Sequence, residues 1–111
     1  MNDRSRLDLL QGTLDLLILR TLHSEPMHGW AISERIQQIS QDVLRVNQGS
    51  LYPALHRLER TGLIASQWSM ESGRPRRTYE LTAAGRRALG AERATWHAFS
   101  TAVSRFLAPQ P

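Results

Sequence analysis

The chain contains no cysteine and no lysine in its 111 residues. Without cysteine there are no disulfides, thiolate metal sites or cysteine nucleophiles, so no redox function is indicated. Without lysine, arginine carries all the long-chain positive charge. No apolar run approaches the roughly 18 to 20 residues that a membrane span needs. The opening Met1-Asn2-Asp3-Arg4-Ser5-Arg6 also lacks the apolar core and small-residue cleavage site of a secretory leader. A soluble, cytoplasmic protein with no membrane partner is expected. Its histidines are His23, His28, His56 and His97, and no nucleophile motif accompanies them. The spacing His23-x-Glu25-x-x-His28 crosses Pro26, so the two imidazoles do not share a helical face as a zinc pair would. An enzyme is therefore not expected, nor a metal, a cofactor or a catalytic residue.

What the chain does have is 41% hydrophobic and 22% charged residues, the balance of a globular protein whose length suits a single core. Its formal charge of +4 is unevenly spread. Arginines 45, 57, 60, 74, 76, 77, 86 and 87 face only Glu59, Glu71 and Glu80 in the middle of the chain, whereas residues 1–44 are net acidic. A guanidinium matches phosphate because its planar fork donates two parallel hydrogen bonds, which makes nucleic acid the first candidate partner. On composition alone, an arginine-rich solvated surface is the plainer alternative.

Apolar spacing places a first helix over residues 12–23, with Leu14, Leu17, Ile18 and Leu22 on one face and Leu16 and Leu19 outside it. Ser24-Glu25-Pro26 stops it. A second helix runs from about His28 to Ile39, with Ile32, Ile36 and Ile39 inward and Gly29 permitting a close backbone approach. Val43-Leu44-Arg45-Val46 favours a short strand. A third helix is expected from Leu51 to Arg60, capped by Ser50, with Pro53 in its first turn. Leu51, Leu55 and Leu58 share one side of it. Pro53, His56, Arg57 and Arg60 point the other way, with Tyr52 at the edge. Thr61-Gly62 closes the helix. Strands over residues 63–70 and 77–81 flank a Gly- and Pro-punctuated, positively charged tip from Glu71 to Arg76, and Trp68 and Tyr79 are expected to pair across the hairpin. Thr82 caps a final helix reaching about Leu107.

Three helices, a strand before the third, and a hairpin with a basic tip make the pattern of a winged helix. The expected fold is mainly α with a small β-hairpin, a winged helix-turn-helix plus a C-terminal dimerisation helix. Residues 1–82 form the DNA-binding region and residues 83–111 the dimerisation helix of a single structural domain. In such a fold the third helix enters the major groove while the wing approaches the backbone. That assigns His56, Arg57 and Arg60 to the groove and Arg74, Arg76 and Arg77 to the wing. A winged helix that binds another protein is the alternative, since a fold does not fix a function.

Leu14 to Leu22, Met27-His28-Gly29-Trp30, the run Gln48-Gly49-Ser50-Leu51-Tyr52-Pro53-Ala54-Leu55-His56-Arg57-Leu58-Glu59, Gly62-Leu63-Ile64, and Arg77-Thr78-Tyr79-Glu80-Leu81-Thr82-Ala83-Ala84-Gly85 closely resemble the PadR family of transcriptional regulators. The resemblance covers roughly residues 7–107. It implies a homodimeric repressor of a roughly palindromic duplex operator, often responsive to small aromatic compounds. It also implies that Gln48, Ser50, Tyr52 and the outward residues of the third helix contact DNA; for Tyr52 the other reading is a core residue. The chain is similar to the short members of the family, and its N-terminal and wing-exit segments to acidobacterial ones.

In the last helix Leu89, Trp96 and Val103 recur every seven residues, and Phe99 and Phe106 lie three beyond the last two. This apolar seam is a candidate dimer interface, to be covered by the first helix, by a second chain, or by both. By the family resemblance Trp96 lines a slot between subunits for a planar aromatic effector. A plain interface tryptophan is the simpler alternative.

Overall fold

A computed structural model describes residues 3–109, with side chains from residue 12 onward. The side chains of Met1 to Arg6 and the extreme ends of the 1–82 and 83–111 regions lie outside the described residues. The order is α1 (Asp3–Ser24), β1 (Met27–His28), α2 (Gly29–Ile39), α3 (Gln48–Arg60), β2 (Ile64–Glu71), β3 (Arg74–Leu81) and α4 (Ala83–Leu107). The fold is a mainly helical winged helix whose strands form one antiparallel sheet in the order β1-β3-β2.

The third strand is not where the sequence placed it. Residues 43–46 are irregular, because α2 is left through Gln41 and Asp42 with φ of 54° and 66°, and the segment that follows runs over the surface. Met27 and His28 take the sheet position instead, opposite Tyr79 and Thr78. Pro26 has already broken α1, and the buried Met27 side chain gives this short strand its reason to dock.

Leu14, Ile18, Leu19 and Leu22 of α1 meet Ile32 and Ile36 of α2, Leu51, Leu55 and Leu58 of α3, and Ile64, Tyr79 and Leu81 of the sheet in one core. Leu19 is thus a core residue rather than an outlier, while Leu17 and Leu16 only pack against the core's edge. Ile39 is 71% exposed, so the inward stripe of α2 ends a turn earlier than its periodicity suggested. Gly29 does permit a close approach: a Cβ there would lie 2.9 Å from the Tyr52 hydroxyl.

Helix α3 begins earlier than expected and has a different cap. The Asn47 side-chain oxygen accepts from the Ser50 amide at 2.9 Å, so Ser50 is inside the first turn and not the cap. Pro53 consequently sits in the second turn, where it has no N–H to offer the carbonyl four residues back. The carbonyl left without that donor belongs to Gly49.

The wing is tighter than the Glu71–Arg76 tip inferred from sequence. Strands run to Glu71 and from Arg74, joined by Ser72 and Gly73 alone, at φ of 53° and 76°. Two successive positive φ values define the hairpin turn whose twist matches the strands. The closing pair Glu71–Arg74 exchanges the hydrogen bonds of such a loop, so the next pair, Met70–Pro75, does not. Pro75 therefore costs the ladder nothing.

At the wing's exit Thr82 joins three elements. Its hydroxyl donates to the Gly62 carbonyl at 2.7 Å, with the Leu63 carbonyl at 3.0 Å, and accepts from the Gly85 amide at 3.0 Å as the cap of α4. Gly85 comes so close to the chain that a Cβ would overlap the Leu63 carbonyl and press Leu81. Thr82→Val should lower the unfolding free energy by about 1–2 kcal/mol in urea denaturation. Gly85→Ala should lower it further, because the clash is with backbone and cannot be relieved by a rotamer change.

Candidate nucleic-acid interface

Helix α3 buries Leu51, Ala54, Leu55 and Leu58 and exposes Gln48, Tyr52, Pro53, His56 and Arg60, with Ser50 half-buried at its start. The Gln48 amide reaches the Ser33 hydroxyl at 3.5 Å, bridging the first turn of α3 to α2. Tyr52 is 41% exposed, with its ring against Gly29 and its edge toward the wing.

Arg57 is not free on that face. Its guanidinium donates to the Asp15 carboxylate of α1 at 2.5 Å, with both side chains about one-third exposed. The helical wheel had placed it outward. It lies instead at the boundary of the polar face, where α1 offers the nearest counter-charge. Asp15 carried no signal in the sequence, because a pair 42 residues apart is set by tertiary packing.

Arg77 is likewise engaged. Its Nε donates to the Ser66 hydroxyl at 2.7 Å and its terminal nitrogen lies 3.4 Å from both Glu59 oxygens. Ser66 in turn donates to Glu59 at 2.5 Å. The guanidinium carbon stands 5.7 Å from the centre of the Trp68 ring, within cation–π range. Trp68 thus faces Arg77 across the hairpin, and Tyr79 faces Ser66, so the expected Trp68–Tyr79 pairing is replaced by a diagonal relation. Trp68 is 67% exposed whereas Tyr79 is buried, and burial pushes the Tyr79 phenol up from its ordinary value, with Arg77 opposing. This Glu59–Ser66–Arg77–Trp68 chain fixes the wing against the C-terminal half of α3.

Arg74 is exposed at the wing tip, and Arg76 is half-exposed, 3.7 Å from Glu71. Both line a cleft of about 470 Å³ together with Tyr52 and His56 of α3. Trp30, at the start of α2, lines the same cleft, a placement its sequence context did not single out. The exposed side of the third helix and the basic wing therefore flank one groove. Among the described residues no group of three or more histidines, acids or cysteines is placed to hold a metal ion.

The model for the transcriptional regulator PadR-like family matches residues 18–91. The chain belongs to this family. It is 42% identical to the transcriptional regulator Rv3488 of Mycobacterium tuberculosis over 75% of each chain. A PadR family transcriptional regulator from Eggerthella lenta superposes with a TM-score of 0.81 at 32% identity, over 97% of this chain and 93% of that one. A transcriptional regulator from Clostridium thermocellum gives 0.85 at 26% identity, over 91% and 99%. The protein is thus a PadR-like transcriptional regulator and not an enzyme. These relatives do not bear on the acidobacterial placement.

In this PadR-like fold the proposed dimer seam divides in two. Leu89 is only 3% exposed and belongs to the core of its own protomer, which sets it apart from the rest of the seam. Trp96, Phe99, Val103 and Phe106 remain exposed along the second half of α4. No described helix is long and apolar enough to cross a membrane.

Glu59→Ala should leave Arg77 and Ser66 without their shared acceptor at a partly buried site. A loss of about 1–3 kcal/mol in chemical denaturation is expected, larger than for Arg76→Ala, whose partner is a distant, exposed acid.

Proposed function

We propose that this regulator is a repressor that binds a roughly palindromic duplex operator as a two-fold homodimer and is released by a planar aromatic effector. The observation that carries the DNA reading is the shared groove, in which the exposed face of α3 and the basic wing tip address one space. Gln48, Ser50, Tyr52, His56 and Arg60 would meet the major groove and its phosphates, and Arg74 and Arg76 the neighbouring backbone. Arg57 and Arg77 would act one step back, holding α3 against α1 and the wing against α3, until a phosphate competes for them. Residues 1–82 would be the reading unit and residues 83–111 the dimerising helix.

The dimer reading rests on α4. Its aromatic second half extends beyond the core, and the Cα radius of gyration of 15.7 Å exceeds the roughly 13 Å usual for a compact chain of this length. Large apolar side chains on a projecting helix are most readily covered by a second copy related by two-fold symmetry. Trp96 lies 5.9 Å from Phe99 between ring centres, and both line a groove of about 290 Å³ with Gly12, Thr13 and Leu16 of α1. A flat apolar effector would fit between two such grooves brought together at the axis.

Fluorescence anisotropy with a selected operator tests the DNA reading. Arg74→Ala should reduce the magnitude of the log affinity against log salt slope by about 0.9 and leave sequence preference unchanged. Arg60→Ala should weaken operator binding by about 1–3 kcal/mol and relax preference at one position if it grips a base. A protein-binding module would show no steep salt-dependent retention on random DNA. Sedimentation should give a dimer at micromolar concentration, and Phe99→Glu should give a monomer with an intact fold. A wild-type monomer would end the two-fold model with its half-sites about 34–36 Å apart.

A further inference from the structure

We propose that the cleft between the wing and α3 is itself a small-molecule site for a planar aromatic anion, and that its occupancy excludes duplex DNA from the same face. The exclusion rests on the DNA reading above; the binding does not. At about 470 Å³ the cleft lies within the range of small-ligand sites. It is separate from the Trp96 groove, with which it shares no lining residue.

The argument begins with an excess of aromatic surface. Trp30 is 55% exposed and Trp68 67%, and both line the cleft with Tyr52. A duplex backbone is met by cations and small hydrogen-bond donors, and its bases are stacked inside, so it offers no free ring for an indole to stack on. Large apolar rings held in water beside arginines are better matched by a ligand that is flat on its faces and negative at one end. Such a molecule would stack on the indoles and direct a carboxylate, sulfonate or phosphate toward Arg74 and Arg76.

The platform is already built. Arg77 stands over the Trp68 ring and is fixed by Ser66 and Glu59, so stacking would require little new ordering of this side chain. A second lobe of about 500 Å³ continues along the wing, sharing Trp30 and Arg76 and adding Ser72 and Glu71. Glu71, the cross-strand partner of Arg74 and 3.7 Å from the Arg76 guanidinium, lines that lobe and not the first cleft, so the ligand's charged group belongs in the first cleft, where Arg74 and Arg76 form the wall without it.

The test uses 1-pyrenesulfonate as probe, with neutral 1-pyrenemethanol and inorganic sulfate as controls, on the full chain. Saturable binding of pyrenesulfonate is expected, with the neutral ring and the bare anion each at least about tenfold weaker. Trp68→Leu and, separately, Arg74→Ala should weaken pyrenesulfonate by about tenfold, whereas Trp96→Leu should not. Both substituted cleft residues are exposed, so unchanged thermal unfolding of the variants serves as the folding control. In competition, the apparent Kd for duplex DNA should rise in proportion to probe concentration. Absence of saturable binding overturns the proposal, as does binding that survives both cleft variants but is lost in Trp96→Leu. Simultaneous binding of probe and DNA overturns the exclusion. If wild type binds no DNA, the functional reading fails while the probe titrations still decide the site.

Discussion

The hydroxyl of Thr82 and the bare Cα of Gly85 set the geometry on which the other elements depend. The end of α3, the start of β2, the end of β3 and the start of α4 all converge on the carbonyls of Gly62 and Leu63. A hydroxyl can donate and accept together, so one side chain ties the turn after α3 to the first turn of α4. Glycine at the third position of the helix then lets α4 lie directly against that turn. The direction in which α4 leaves the winged helix, and hence the placement of any second copy relative to α3, is decided within a few ångströms of this contact.

From that junction two ionic contacts orient the polar face. Asp15 holds Arg57 on one flank of α3, and Glu59 holds Arg77 on the other. Each is partly exposed, so neither contributes much to stability by Coulomb attraction alone. Their value is directional, since α3 is referred to α1 and the wing is referred to α3. The arginines left at the periphery, Arg60 and Arg74, carry their charge outward.

Much of this was legible in the residues and some was not, for separable reasons. Leu51, Leu55 and Leu58, the Thr82 cap and the turn at Gly62 are local features, and the chain declares them through spacing and residue type. The Asn47 cap was displaced by one residue type that caps as well as another, since Ser50 satisfied the same rule. The strand assigned to 43–46 followed from β-favouring side chains, but the left-handed exit at Gln41 and Asp42 and the affinity of Met27 for the core put β1 elsewhere. Leu89 fits the same seven-residue spacing as Trp96 and Val103, and spacing states which face is apolar, not which helix covers it. Arg57 and Arg77 departed from their expected free placement for the related reason that periodicity gives an angle and no counter-charge, whereas Arg60 and Arg74 are exposed as expected. Residues such as Asp15 and Glu59 become visible only when distant segments meet.

The wing's pairing has a consequence for how its length can vary. Along β3 the residues alternate between the cation stacked on Trp68, the Tyr79 ring in the core, and neighbours directed to the opposite face of the sheet. Adding a single residue to the strand would exchange these faces, taking Tyr79 out of the core and Arg77 away from Glu59 in one step. Adding two to each strand would keep the alternation and lengthen the arm by roughly 6–7 Å. Insertions and deletions in the strands of this hairpin are therefore constrained by parity, with the reach of the arm changing in paired increments while its contacts with α3 persist.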